Sequence, residues 1–336
     1  MNTPIKSIQP LHSPWKTQDP FIFCAYHNDE FPGGNDEMGP NVSLAGRSIG
    51  QDFAGKDGWN MYHGTRIPGF PGHPHSGFET VTIVNKGMVD HSDSLGAAGR
   101  FGDGDVQWLT AGRGVQHCEM FPLLNRDKNP FELFQIWLNL PGKSKKASPH
   151  YKMLWSEDVP VINVKDDNGK SIELKLVAGD YGKHKALAPT PDSWAADPDN
   201  EVIIWTLKLE PNASMSIPVS NKEVNRTLFF YNGDSFKINS EVVESNKLVE
   251  LDASMETTIE NGAAEGYFLL LQGRPMNEPV MQHGPFVAND RAGLQNIFKD
   301  FQETQFGGWP WPSMENVHDR DKGRFAIFPD GTEVVK

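Results

Sequence analysis

Apolar and polar positions alternate along much of this chain, in short runs broken by glycine, proline and asparagine. A period of two is what a strand with one buried face leaves in a sequence. Residues 80–84, 88–93, 106–109 and 131–140 read this way, and 203–209, 227–231, 235–238, 248–251 and 266–271 form a second set. The joints carry turn chemistry: Asn85-Lys86-Gly87 and Asn232-Gly233-Asp234 predict two hairpins in which glycine takes the positive φ. Gly102-Asp103-Gly104-Asp105 predicts a further turn. A polar stretch, residues 141–149, separates the sets. The pattern predicts an all-β protein of two barrels, 1–150 and 151–285, related as a weak internal repeat. Residues up to Arg47 are rich in glycine and asparagine and carry no firm assignment.

One segment keeps a different period. Leu294, Ile297, Phe298 and Phe301 are spaced as one face of a helix, and Asn289 or Asp290 can cap it. Gly307-Gly308-Trp309-Pro310-Trp311-Pro312 ends any helix, so residues 286–336 read as a helix followed by an extended tail. The two tail tryptophans are expected to pack on the surface.

Composition narrows the function. A net charge of −13 over 336 residues, with no basic run beyond Lys143-Ser144-Lys145-Lys146, argues against direct nucleic-acid binding, which needs a positive surface to release counterions. Cys24 and Cys118 are the only cysteines, so no disulfide framework is indicated and a reducing compartment is expected. Met1-Asn2-Thr3-Pro4-Ile5-Lys6-Ser7 lacks the apolar core of a signal peptide, and no apolar run approaches a membrane span. The expectation is a cytoplasmic protein without membrane attachment.

The candidate chemistry lies in two pairs. His73 and His75 flank Pro74, and His117 and Glu119 flank Cys118. Residues i and i+2 of a strand share a face, so each pair can point one way together. Three imidazoles and a carboxylate would make a site for one divalent transition metal. A lone strand histidine is more often a hydrogen-bonded structural residue; two such pairs in one barrel are harder to explain so. Glu79 competes for the fourth position, but it lies about 13 Å beyond His75 along a straight strand of roughly 3.3 Å per residue. It reaches the ion only if Ser76-Gly77 bends the chain; Glu119 is the choice and Glu79 the fallback. Glu119 is also placed to accept a substrate proton. Cys118 should face away from the ligands, and His91 reads as structural. His12, His27, His63, His150, His184, His283 and His318 are scattered and are assigned no chemistry. Nitrogen and oxygen donors without thiolate suit Fe, Mn, Ni, Co, Cu or Zn. No histidine falls between His184 and His283, so the second barrel should hold no such site and one metal per chain is expected.

HPHSGFETV from His73, the DSLG after His91, GDVQWLTAGRGVQHCEM, FQIWLNLPGKSKKASPHY and GPFVAND from Gly284 resemble the pirin family of the cupin superfamily in order and spacing. Ser76 stands where many members carry arginine, and the long tail after Gly307 belongs to only part of the family. The resemblance implies two cupin barrels face to face. It implies Fe(II) in the first, at His73, His75, His117 and Glu119. For some members it implies quercetin 2,3-dioxygenase activity, the opening of a flavonol with O₂ and release of carbon monoxide. Other members are regulators that bind protein partners, so the family alone does not fix function. The leading expectation is a metal-dependent dioxygenase acting on a small aromatic substrate, with Phe78 and Trp108 lining its pocket. The alternative is a non-enzymatic regulator whose metal or redox state governs a protein partner, and a structural barrel pair with a vestigial site is third.

Overall fold

A computed structural model describes residues 3–220 and 222–336. The chain divides into two compact units, Ala25–Ser156 with Glu278–Lys336, and the chain up to Cys24 with Glu157–Asn277. Its first ten strands are β1 (Ile5–Pro10), β2 (Phe21–Pro32), β3 (Gly69–His75), β4 (Phe78–Lys86), β5 (Met88–Asp93), β6 (Ala98–Gly102), β7 (Val106–Thr110), β8 (Val115–Met120), β9 (Lys128–Asn139) and β10 (His150–Leu154).

The first unit is built from two antiparallel sheets. One runs β10-β7-β4-β9-β2; the other begins with the tail strands Glu333–Val335 and Phe325–Ile327 and continues β6-β5-β8-β3. Consecutive β4 and β5 lie in different sheets, so the hairpin predicted at Gly87 is instead a corner where the chain crosses between layers. Gly87 has φ 79°, and a Cβ there would strike the Phe131 ring. The turn at Gly233 makes the same crossing, from Asn225–Asn232 in one sheet to Ser235–Ile238 in another. Glycine chemistry located both turns correctly. It could not say whether the flanking strands pair.

In the second unit a seven-stranded sheet faces a four-stranded one. Leu174, Leu176, Trp205, Leu207, Leu228, Phe230, Phe268 and Leu270 meet Met215, Ile217, Phe236, Ile238 and Ile259 in an apolar core. Strand β1 closes this barrel by pairing with Lys247–Leu251. The sequence-based division, 1–150, 151–285 and 286–336, is therefore crossed at both ends: the chain up to Cys24 joins the later barrel, and residues 278–336 join the earlier one. Pairing between segments so far apart leaves no local mark in the sequence.

Helix α1 (Arg291–Thr304) starts at Asp290, whose Oδ1 accepts from Gly293 N at 2.6 Å. Its stripe of Phe298 and Phe301 packs against Phe286. The tail beyond it runs over the outer face of the six-stranded sheet. Trp309 packs near Ile67, Cys118 and Met120, and Trp311 Nε1 donates to Asp93 O at 2.8 Å. Arg100, buried, holds the end of the tail: it pairs with Asp90 at 2.7 Å and donates to the carbonyls of His318, Asp319, Arg320 and Lys322. Among the described residues no helix is long and apolar enough to cross a membrane.

Candidate metal centre

Strand β8 runs between β3 and β5, and its register places the site. His73 lies directly opposite His117, and Phe70 opposite Glu119; on the other side His91 faces Glu119 and Asp93 faces His117. Opposed residues share a face, so all six point to the same side of the sheet. Phe70 and His73 are three apart and would normally point oppositely. The register slips by one between them, and this bulge turns both inward.

His73, His75 and His117 each bring a ring nitrogen to within 4.8 Å of the others. His73 Nδ1 lies 2.9 Å from Pro71 O, which as an acceptor must receive that proton, leaving Nε2 bare. This nitrogen stands 3.1 Å from His117 Nε2. Neither nitrogen of His75 nor His117 Nδ1 makes a hydrogen bond of ordinary geometry. Burial holds His73 down to about 4, and burial with neighbouring imidazoles holds His75 and His117 well below the usual histidine value. Three neutral imidazoles therefore converge.

Glu119 lies just outside this group, with Oε2 3.8 Å from His117 Nε2. Gln135 Nε2 donates to that oxygen at 2.9 Å, and Thr82 Oγ1 lies 3.1 Å from Oε1. Thr82 Oγ1 is also 2.6 Å from Gln135 Oε1, so amide, hydroxyl and carboxyl form a closed ring. Burial raises the carboxyl's pKa, while Thr82 and Gln135 oppose the rise. His91 makes a 3.3 Å contact with Asp93, stacks on Tyr151, and has its ring 5.4 Å from that of His117.

The opposing sheet supplies the other wall. Phe78, Thr80 and Thr82 alternate onto one face of β4, with Trp137 opposite Thr80 and Gln135 opposite Thr82 on β9. Phe78 and Trp137 set their rings 5.1 and 5.3 Å from His75. Phe78 thus stands where expected, whereas Trp108 does not. It pairs with Val81 and so shares the other face of the sheet, with Glu79. Glu79 accepts from Thr110 Oγ1 at 2.7 Å on that face, which removes the fallback ligand. Cys118 points away from the histidines, near Asn316 O at 3.7 Å.

Two family profiles match the chain: Pirin over residues 5–138 and Pirin C-terminal cupin domain over 204–307. The chain belongs to the pirin family. A Pseudomonas aeruginosa relative, provisionally named a quercetin 2,3-dioxygenase, is 32% identical over 235 residues, 70% of this chain and 78% of its own. Pirin-1 of Arabidopsis thaliana is 34% identical over 243 residues, 71% and 78% of the two chains. The crystal structure of quercetin 2,3-dioxygenase from Acinetobacter baumannii superposes with a TM-score of 0.70 and 25% identity, covering 91% of this chain and 99% of that one. Each unit is accordingly a cupin barrel.

In this pirin-family chain the donors fit a divalent transition ion. Bare, neutral imidazole nitrogens are the form that binds metal. With its proton on Nδ1, His117 presents a bare Nε2 3.1 Å from that of His73, and the two can reach one ion at roughly 2.1 Å. Without an ion, buried His75 has no well-formed partner for the nitrogen turned toward His73 and His117. Thr82, Gln135 and Trp137 did not emerge from the sequence. Alternation in 131–140 put Gln135 and Trp137 on one face, but nothing local said which face was inner.

Proposed function

We propose that this chain is a metal-dependent dioxygenase of the quercetin 2,3-dioxygenase type, cleaving a flavonol or related enolic aromatic ring with O₂. The observation that carries this reading is the convergence of three neutral imidazoles beside a buried carboxyl and an aromatic wall. The fold shared with the Acinetobacter enzyme and the name of the Pseudomonas relative favour it. His73, His75 and His117 would hold the ion, with Glu119 as fourth ligand, and Fe(II) is the metal proposed. When bound, the ion supplies Lewis acidity toward an enolic oxygen and a site for O₂ chemistry.

The chain's own residues do the rest. Phe78 and Trp137 offer flat apolar surface to a planar ring next to His75. Glu119 receives the proton of the substrate hydroxyl; burial raises its pKa in the metal-free chain. Gln135 Nε2 donates to that carboxyl, and Thr82, whose proton goes to Gln135 Oε1, accepts from Oε1 once the carboxyl is protonated. The test is oxygen uptake and carbon monoxide release by iron-loaded protein with quercetin, against a His117→Ala control. Turnover no higher than in the control overturns the proposal.

A further inference from the structure

We propose that Gln135 is the positioning residue of this centre, fixing through its amide the direction in which Glu119 presents its carboxylate to the ion. The inference rests on reading the histidine cluster as a metal site. The ligands differ in how the fold secures them. His73 and His117 are aligned by direct pairing of β3 with β8, and the His73 ring is steered further by the Pro71 carbonyl. Glu119 carries a longer side chain with more torsions to settle; Phe70, its partner on β3, offers no polar group, and His91, its partner on β5, turns its Nε2 to Asp93. Hydrogen bonds to its carboxyl come instead from the opposite sheet.

Gln135 extends from β9 beside Thr82 of β4, and the two are in register. Its Nε2 donates to Glu119 Oε2 at 2.9 Å while its Oε1 accepts from Thr82 at 2.6 Å. The second bond fixes the amide: rotated by half a turn, it would set oxygen against the carboxylate. Gln135 thus ties the ligand strand β8 to the facing sheet at the one oxygen that lies toward His117. Partners that orient a ligand in this way typically govern metal affinity by about 10–100-fold.

The experiment is titration of the full-length metal-free protein with Co(II), followed by calorimetry and by the visible ligand-field spectrum. Gln135→Leu is expected to weaken Co(II) binding by about 10–100-fold and to change the spectrum. Thr82→Val should do so less, and Thr82→Ser should restore the parent behaviour. In a Glu119→Ala background, Gln135→Leu should cost nothing further, because its effect passes through Glu119. Parent-like affinity and spectrum in Gln135→Leu overturn the inference, and so does an equal loss with and without Glu119. If Gln135→Leu does not fold, Thr82→Val and its double variant with Glu119→Ala decide by the same criteria. Co(II) binding undiminished in His117→Ala would overturn the metal-site reading itself, a result separate from those.

Discussion

The two barrels share a strand plan and a glycine corner but fill their interiors with opposite chemistry. Between the seven- and four-stranded sheets, Phe230 packs its ring 4.9 Å from Phe236 and 4.8 Å from Phe268, and aliphatic side chains occupy the remaining space. Between the five- and six-stranded sheets, inward positions carry His73, His75, His91, His117, Glu119, Thr82 and Gln135. One interior stabilises by removing apolar surface from water. The other holds buried polar atoms without hydrogen bonds of ordinary geometry, a cost that a bound ion would offset. The same scaffold thus separates stability from chemistry, and substitutions in the two interiors should have different readouts.

His117→Ala should have the largest effect: metal content by elemental analysis falls to background, and oxygen uptake with quercetin falls with it. Retained metal would erase the contrast between the barrels. Phe230→Ala, fully buried in the other core, should cost about 3–5 kcal/mol in denaturant unfolding. Metal content per folded molecule should not change. Acid should act on the first barrel of the metal-free protein. The folded-state pKa of His73, about 4, lies below the usual 6.5, so the unfolded chain binds more protons between these values. Its contribution is intact above about 6.5 and is lost as pH falls toward 4; melting of the metal-free protein across that window checks the sign. The smallest change in stability sharpens the comparison most. His75→Leu replaces an imidazole that makes no hydrogen bond of ordinary geometry by an apolar group, making the first interior locally resemble the second. It should abolish metal uptake yet stabilise the metal-free protein by about 1–2 kcal/mol, measured by denaturant unfolding.

Much of this was legible in the sequence wherever the information was local. Alternation placed His73 with His75 and His117 with Glu119, turned Cys118 outward, and found the helix with its Asp290 cap. What escaped was set by pairing across long separations. Trp108 and Trp137 both stand in alternating strands, and only the register against β4 shows that Trp137 faces the histidines. The same register removed Glu79, which distance along the strand had only disfavoured. Strands β1 and β2 escaped because their partners lie far along the chain, β1 against Lys247–Leu251 and β2 against β9.

The paired ends of the molecule bear on how it is made. The Lys322 carbonyl that Arg100 grips leaves the ribosome 222 residues after Arg100 itself. Strand β1 finds its neighbour only in residues 247–251, beyond all of strands β3 to β10. Neither barrel is one continuous stretch of chain, so domain-by-domain folding in sequence order, the usual route for multidomain chains, does not match this division. The outer face of the histidine strands is thus covered by a segment that the chain reaches only after building the other barrel, so the two units exchange ends rather than following one another in order.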